Sequence, residues 1–270
     1  MSTSTPGTIT GILETMTIDD VRALNPEVVV LPIASTEPHG PHLPYGTDVF
    51  QCDAVCRRAV QRANERGGRV LMYPTLPISN NVNFKAFPFA CRIGVRTLMR
   101  VLLDIIDALE ADGIRKIVLV NGHGGNPDTI RATLREQLDR KPPGQGPFVC
   151  LVPGYLLPDG EAELGIAHES DHGGESETSQ ILHLRPDLVR QDKLDVFPIH
   201  DPAIAHLQTA SAEFVRLWHA YMPVSVGGET RESTAAKGQR VIDTVADGLA
   251  ALLVELTEAA WHERFPYKAE

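Results

Sequence analysis

The chain alternates between two hydrophobic periods. Residues 28–34, VVVLPIA, form an unbroken apolar run rich in β-branched side chains, the pattern of a strand covered on both faces. Residues 49–66 then carry apolar positions at helical spacing and stop at Gly67-Gly68. The alternation continues with a strand over 69–78 broken by Pro74, an amphipathic helix over 95–111 ending near Gly113, and KIVLV at 116–120, the clearest strand. Asn126 caps and Pro127 opens a helix over 127–140. A strand over 147–155, a helix over 177–184 stopped by Pro186, and a long alanine- and leucine-rich helical segment over 235–260 complete the pattern. Residues 186–235 are the least regular. Strands alternating with helices predict an α/β fold, a mainly parallel sheet with helices on both faces. No internal repeat or linker divides the chain, and KPPGQG at 141–146 is a loop between helix and strand, so residues 1–270 read as one domain behind a flexible tip over 1–10.

Composition narrows the partners. Apolar residues make up 43% and charged residues 22%, as in ordinary globular proteins, and the formal net charge of −10 disfavours nucleic acid or an anionic membrane as partner. No apolar run is long enough to span a bilayer, and the first residues lack the basic and apolar regions of a secretory signal. Cys52, Cys56, Cys91 and Cys150 do not suggest a disulfide framework. A reduced, cytoplasmic protein acting on a small molecule is the expectation.

Polar clusters follow three of the predicted strands. VVVLPIA runs into STEPHGPHLPYGTD (35–48), KIVLV into NGHGGN (121–126), and the 147–155 strand is followed by HESDHGGESETS (168–179). Ligands of open α/β sheets bind at the carboxyl ends of strands. Together the loops supply Glu37, His39, His42, Asp48, His123, His168, Asp171, His172, Glu175 and Glu177. Carboxylates and imidazoles without cysteine suit zinc or manganese with positions left open for water. There are more donors than one ion needs, and a carboxylate such as Asp48 can bridge two, which points to a dinuclear site. NGHGGN before a helix also fits an anion nest, but the loop holds no lysine or arginine.

The pattern E-x-H-G-x-H-L-P-x-x-T-D, here Glu37 to Asp48, resembles the first motif of the creatininase (creatinine amidohydrolase) family. NGHGGN and D-x-H-x-G-E-x-E-T-S, here Asp171 to Ser179, resemble its second and third motifs, and GGETRESTAAKGQR (227–240) is a weaker match. The resemblance implies a three-layer α/β/α sandwich, two divalent metal ions per subunit, zinc or manganese, and a homo-oligomer, often a hexamer. By motif position, Glu37 and His123 would serve one ion and His39 the other, with Asp48 bridging. Creatininase takes a further ligand from a glutamate where this chain has Gly125, so the resemblance shifts that role to Glu175, with Glu177 the alternative. His172 matches the general acid/base, and His42 would orient a ligand. The implied reaction is hydrolysis of a C–N bond by a hydroxide bridging the two ions.

Creatininase closes its pocket with tryptophans near the third motif, whereas Trp218 and Trp261 lie elsewhere and His168 stands before His172. FPFA (87–90) replaces the family's F-P-G-T, and the preceding ISNNVNFK is rich in asparagine, making Asn81 and Lys85 candidate substrate contacts. Creatinine is therefore not the expected substrate. A small cyclic amide or formamide is, with a carbocyclic or sugar-like ketone as the alternative, and a metal-dependent binding protein without turnover as the third reading.

Overall fold

The computed structural model describes residues 10–153, 164–167, 172–209 and 212–268. Four parallel strands, β1 (Val28–Ile33), β2 (Val70–Met72), β3 (Lys116–Asn121) and β4 (Phe148–Pro153), pair in the order β2-β1-β3-β4. The helices are α1 (Ile18–Leu24), α2 (Thr47–Glu65), α3 (Val95–Ala111), α4 (Pro127–Asp139), α5 (Glu175–Leu184), α6 (Ala205–Gln208), α7 (Trp218–Tyr221) and α8 (Ala235–Glu258). Within the irregular stretch, β5 (Val196–Phe197) and β6 (Gly228–Glu229) form a small antiparallel pair.

Each strand feeds two cores, because successive side chains point to opposite faces. Val28, Val30, Val118 and Val120 pack with α2 and α8 through residues such as Val55, Cys56, Ile242 and Leu249. Val29, Leu31, Ile33, Ile117 and Leu119 pack with α3 and α4 through Leu98, Leu102, Ile106 and Ile130. Burial on both sides is why VVVLPIA shows no polar alternation. The result is the expected three-layer α/β/α sandwich.

Two elements differ from the sequence reading. The 69–78 strand keeps only three residues in the ladder, since Pro74 and Pro77 cannot donate to it; between them a single bridge joins Ile33 to Leu76. Helix α1 was not predicted, although Thr17 and Asp20 make a reciprocal capping box at its start and Asn25 ends it in the left-handed region. Its seven residues are too few for a periodic signal, and none is buried.

Strand order reverses direction between β1 and β3, the place where doubly wound sheets open a crevice. Both the 34–46 loop and the 122–126 loop leave the sheet there.

Candidate metal centre

The loop after β1 is closed on itself by Glu37 N–H donating to the Tyr45 carbonyl at 2.9 Å, which sets Glu37 and His39 over the sheet end. Asp48 lies in the first turn of α2, where the helix dipole favours a carboxylate, rather than in the loop ahead of the helix. His123 sits two residues beyond β3. His172 and Glu177 come from the segment entering α5.

Asp48 occupies the middle. Its Oδ1 lies 2.9 Å from His39 Nε2 and its Oδ2 3.1 Å from His123 Nδ1. Glu37 Oε2 is 3.1 Å from the same His123 nitrogen, and Glu177 Oε2 is 3.5 Å from His39 Nε2. Donor atoms of Glu37, Asp48 and His123 all fall within 4.8 Å of one another, as do those of His39, Asp48 and Glu177. A third group, Glu37, His39 and His172, meets the same limit. The first two groups share Asp48, one carboxylate oxygen facing each.

Three imidazoles are oriented by one device. His39 Nδ1–H donates to the Glu37 carbonyl at 3.1 Å, His123 Nε2–H to the Asn80 carbonyl at 3.3 Å, and His172 Nε2–H to the Pro38 carbonyl at 2.9 Å. A carbonyl only accepts, so each bond fixes which nitrogen keeps its proton and makes the other the lone-pair atom whenever the ring is neutral. For His39 and His123 that atom is the one facing the carboxylates. Ligating histidines are oriented in this way.

The donor set fits divalent cations. Glu37 Oε2 and His39 Nε2 are buried without a hydrogen-bond partner, although charged or polar atoms crowd them. Lone pairs that converge instead of pairing need a positive centre between them. Burial raises the Glu37 carboxyl above its usual range, whereas the neighbouring imidazoles, His39 foremost, overcome the burial of Asp48 and hold it well below. Burial would lower His39 and His123, but carboxylates overcome it, Asp48 and Glu177 at His39 and chiefly Glu37 at His123, and lift both rings to about 10. Protons bind these rings where cations would otherwise balance the charge. Because the folded pKa of both rings is raised, their protonation contributes stability that is complete below about 6.5 and lost as pH rises through about 10. The chelator-stripped protein is therefore expected to lose stability progressively across that window, and urea midpoints of stripped and manganese-loaded protein will measure it; a flat profile for the stripped form counts against this charge balance.

Of the other predicted residues, Glu175 points elsewhere. Its Oε1 takes the Lys237 ammonium at 2.5 Å and its Oε2 accepts from Ala167 N–H at 3.0 Å. Residues two apart on a helix lie on opposite sides, so only one of Glu175 and Glu177 can face the cluster. His42 donates from Nε2 to Thr178 Oγ at 2.8 Å, and Thr178 in turn donates to the Gly173 carbonyl at 3.0 Å, which ties the first loop to the turn bearing Glu177. Asn81 is consumed internally: its Oδ1 accepts from Ser35 at 2.8 Å and its Nδ2 donates to the Cys91 carbonyl at 2.9 Å. Lys85, expected as a substrate contact, is exposed. His168 lies outside the described residues, as does Asp171.

Sequence reasoning missed the wall around His172. Phe84 (ring centroids 5.3 Å apart) and Trp218 (5.4 Å, edge-on) pack against its ring, with His39 at 3.9 Å. A tryptophan does therefore reach the third motif, from α7 instead of from a neighbouring position. Burial first, and the His39 charge second, push His172 down to about 4, so its ring is neutral at physiological pH. Gly125 is explained as well. A Cβ there would stand 2.5 Å from His123 Nε2 and 2.6 Å from the Asn80 oxygen, so a side chain at 125 is incompatible with the bond that orients His123. In FPFA, Phe89 adopts φ +54° with its side chain 90% exposed, the backbone conformation of a glycine carried by a phenylalanine.

Fold and site define an α/β/α protein with a buried carboxylate–imidazole cluster whose donor groups are candidate metal ligands. The profile of the creatininase family (creatinine amidohydrolase) matches residues 14–253, and the chain belongs to that family of hydrolases. It is 28% identical to a mycofactocin precursor peptide peptidase of Mycobacterium ulcerans, over 92% of this chain and 93% of that one. A creatinine amidohydrolase of Pseudomonas putida is 30% identical over 69% of this chain and 82% of its own. A solved Bacteroides fragilis structure, taken to be a creatinine amidohydrolase, superposes with a TM-score of 0.82 at 28% identity, covering 94% of this chain and 99% of that one. Creatininases of the same fold, at 24% and 25% identity, have been solved in a zinc–zinc form and with manganese. No described helix is long and apolar enough to cross a membrane.

Proposed function

We propose that this hydrolase uses two divalent cations, zinc or manganese, to cleave a C–N bond of a small amide. Glu37, Asp48 and His123 would hold one, and His39, Asp48 and Glu177 the other. The observation that carries this reading is the pair of donor groups sharing Asp48. When bound, the cations supply Lewis acidity toward a carbonyl oxygen and activate water at neutral pH.

The chain supplies the rest. His172, with its proton fixed at Nε2 by Pro38, offers Nδ1 as the proton acceptor, 3.9 Å from Glu37 Oε1. It takes a proton from attacking water and returns it to the leaving nitrogen, work suited to a neutral imidazole. Phe84 and Trp218 pack against its ring and exclude bulk water, which strengthens every charge interaction inside.

Two amide classes follow: a small cyclic amide or formamide, and a peptide amide, the latter favoured by the likeness to the peptidase along nearly the whole chain. The test loads stripped protein with zinc or manganese, counts ions, and assays lactams, formamides, short peptides and a cyclitol ketone. Turnover of an amide that a chelator abolishes is expected. Opening of the ketone alone would replace the C–N assignment, and binding without turnover of any compound would replace the enzyme.

A further inference from the structure

Two of the three loops that carry the centre, those of Pro38 and His172, are clasped by one short segment, Ser225-Val226-Gly227, from outside the three main motifs. Ser225 Oγ–H donates to the Pro38 carbonyl at 2.8 Å, the same oxygen that accepts His172 Nε2–H at 2.9 Å. Gly227 N–H donates to the His172 backbone carbonyl at 3.1 Å. Val226, fully buried, fills the space over Gly40 and Gly173, where an added Cβ would come within 2.6 Å and 2.9 Å of its methyls. Both glycines are left-handed, at φ +75° and +69°, so their bare backbones turn beneath the valine.

Ser225 is the odd member. It is 1% exposed and holds φ +57°, a region glycine enters freely and other residues enter at a cost. A strained residue persists where its surroundings over-determine it, and such residues gather at functional sites. The hydroxyl is the one thing serine offers here that glycine lacks. A carbonyl oxygen has two lone pairs, and Ser225 and His172 use both. Pro38 lies between Glu37 and His39, so the direction of its carbonyl governs the His172 ring and the path of the loop together.

We propose that Ser225 is a positioning residue for His172, acting through the Pro38 carbonyl to hold the ring orientation and tautomer that turn Nδ1 inward. Its meaning for turnover rests on the hydrolase reading above, but its geometry does not. The experiment uses the full chain with ¹⁵N-labelled histidine, stripped of metal, and follows exchange of the His172 Nε2 proton with water by NMR in wild type, Ser225→Ala and Ser225→Gly. Both variants are expected to speed that exchange roughly fivefold, the worth of one ordinary hydrogen bond. Their melting temperatures should diverge, Ser225→Gly standing above Ser225→Ala because it relieves the left-handed backbone. Persistence of fast exchange in the more stable glycine variant separates positioning from mere stabilisation. Exchange unchanged in both variants, or raised in Ser225→Ala alone, overturns the proposal. Zinc counting on reloaded wild type reports separately: failure to bind would sink the hydrolase reading and leave the exchange comparison to decide the role of Ser225.

Discussion

Asp48→Asn should leave the chain holding at most one divalent cation where two are proposed for the wild type. The two Asp48 oxygens face different imidazoles, 2.9 Å from His39 Nε2 and 3.1 Å from His123 Nδ1, so the substitution damages both halves at once. The amide keeps one neutral oxygen and replaces the other by an NH₂ donor. That donor would point at a histidine lone pair and hydrogen-bond it, removing a second ligand along with the first. Removing one negative charge from a buried cluster of three carboxylates also weakens the attraction for whatever cation remains. Loss of residues that merely orient a ligand costs about 10–100-fold in metal affinity or activity, so loss of the shared ligand should exceed 100-fold in hydrolysis. Metal analysis after dialysis decides the matter: two ions per chain in the variant would show that Asp48 does not bridge.

Sequence and structure agree best where a signal is local and long. The β1, β3, α3 and α4 elements were legible because the strands are continuous apolar runs and the helices periodic ones with their own start or stop, such as Pro127 opening α4. The meeting of residues from the three polar clusters was legible for a different reason, since strand ends in an α/β fold converge whatever their details. What escaped depends on how elements turn relative to one another. Trp218 reaches His172 from a four-residue helix in an aperiodic stretch, and nothing along the chain couples them. Asn81 was read as a substrate contact because asparagines on a loop look available, yet tertiary packing gives its amide to Ser35 and Cys91. Gly125 was visible as a departure from creatininase, but its cause, the Asn80 carbonyl bonded to His123, is long-range.

The choice between Glu175 and Glu177 depends on the same relative geometry and yields the second large effect. Both stand in the first turn of α5, and the helical twist sends them to different neighbours. Glu177 approaches His39 at 3.5 Å and accepts the Gly173 N–H at 2.6 Å, a bond that holds one of its oxygens at the cluster. Glu175 is fully buried, and its carboxylate is taken up by Lys237 and the Ala167 amide. Glu177→Gln should therefore release one cation and lower hydrolysis at least about 100-fold while changing stability little, because the neutral amide fits the same space. Glu175→Gln should do the reverse. It leaves the half-buried Lys237 ammonium, which keeps its bond to the Glu232 carbonyl at 2.9 Å, facing a neutral oxygen, and losing the charge-assisted bond costs about 1.5–3 kcal/mol. Urea midpoints and metal counts on the two variants separate the roles. If Glu175→Gln loses an ion at unchanged midpoint while Glu177→Gln keeps two, the ligand is Glu175, and α5 must rotate on loading to bring it in.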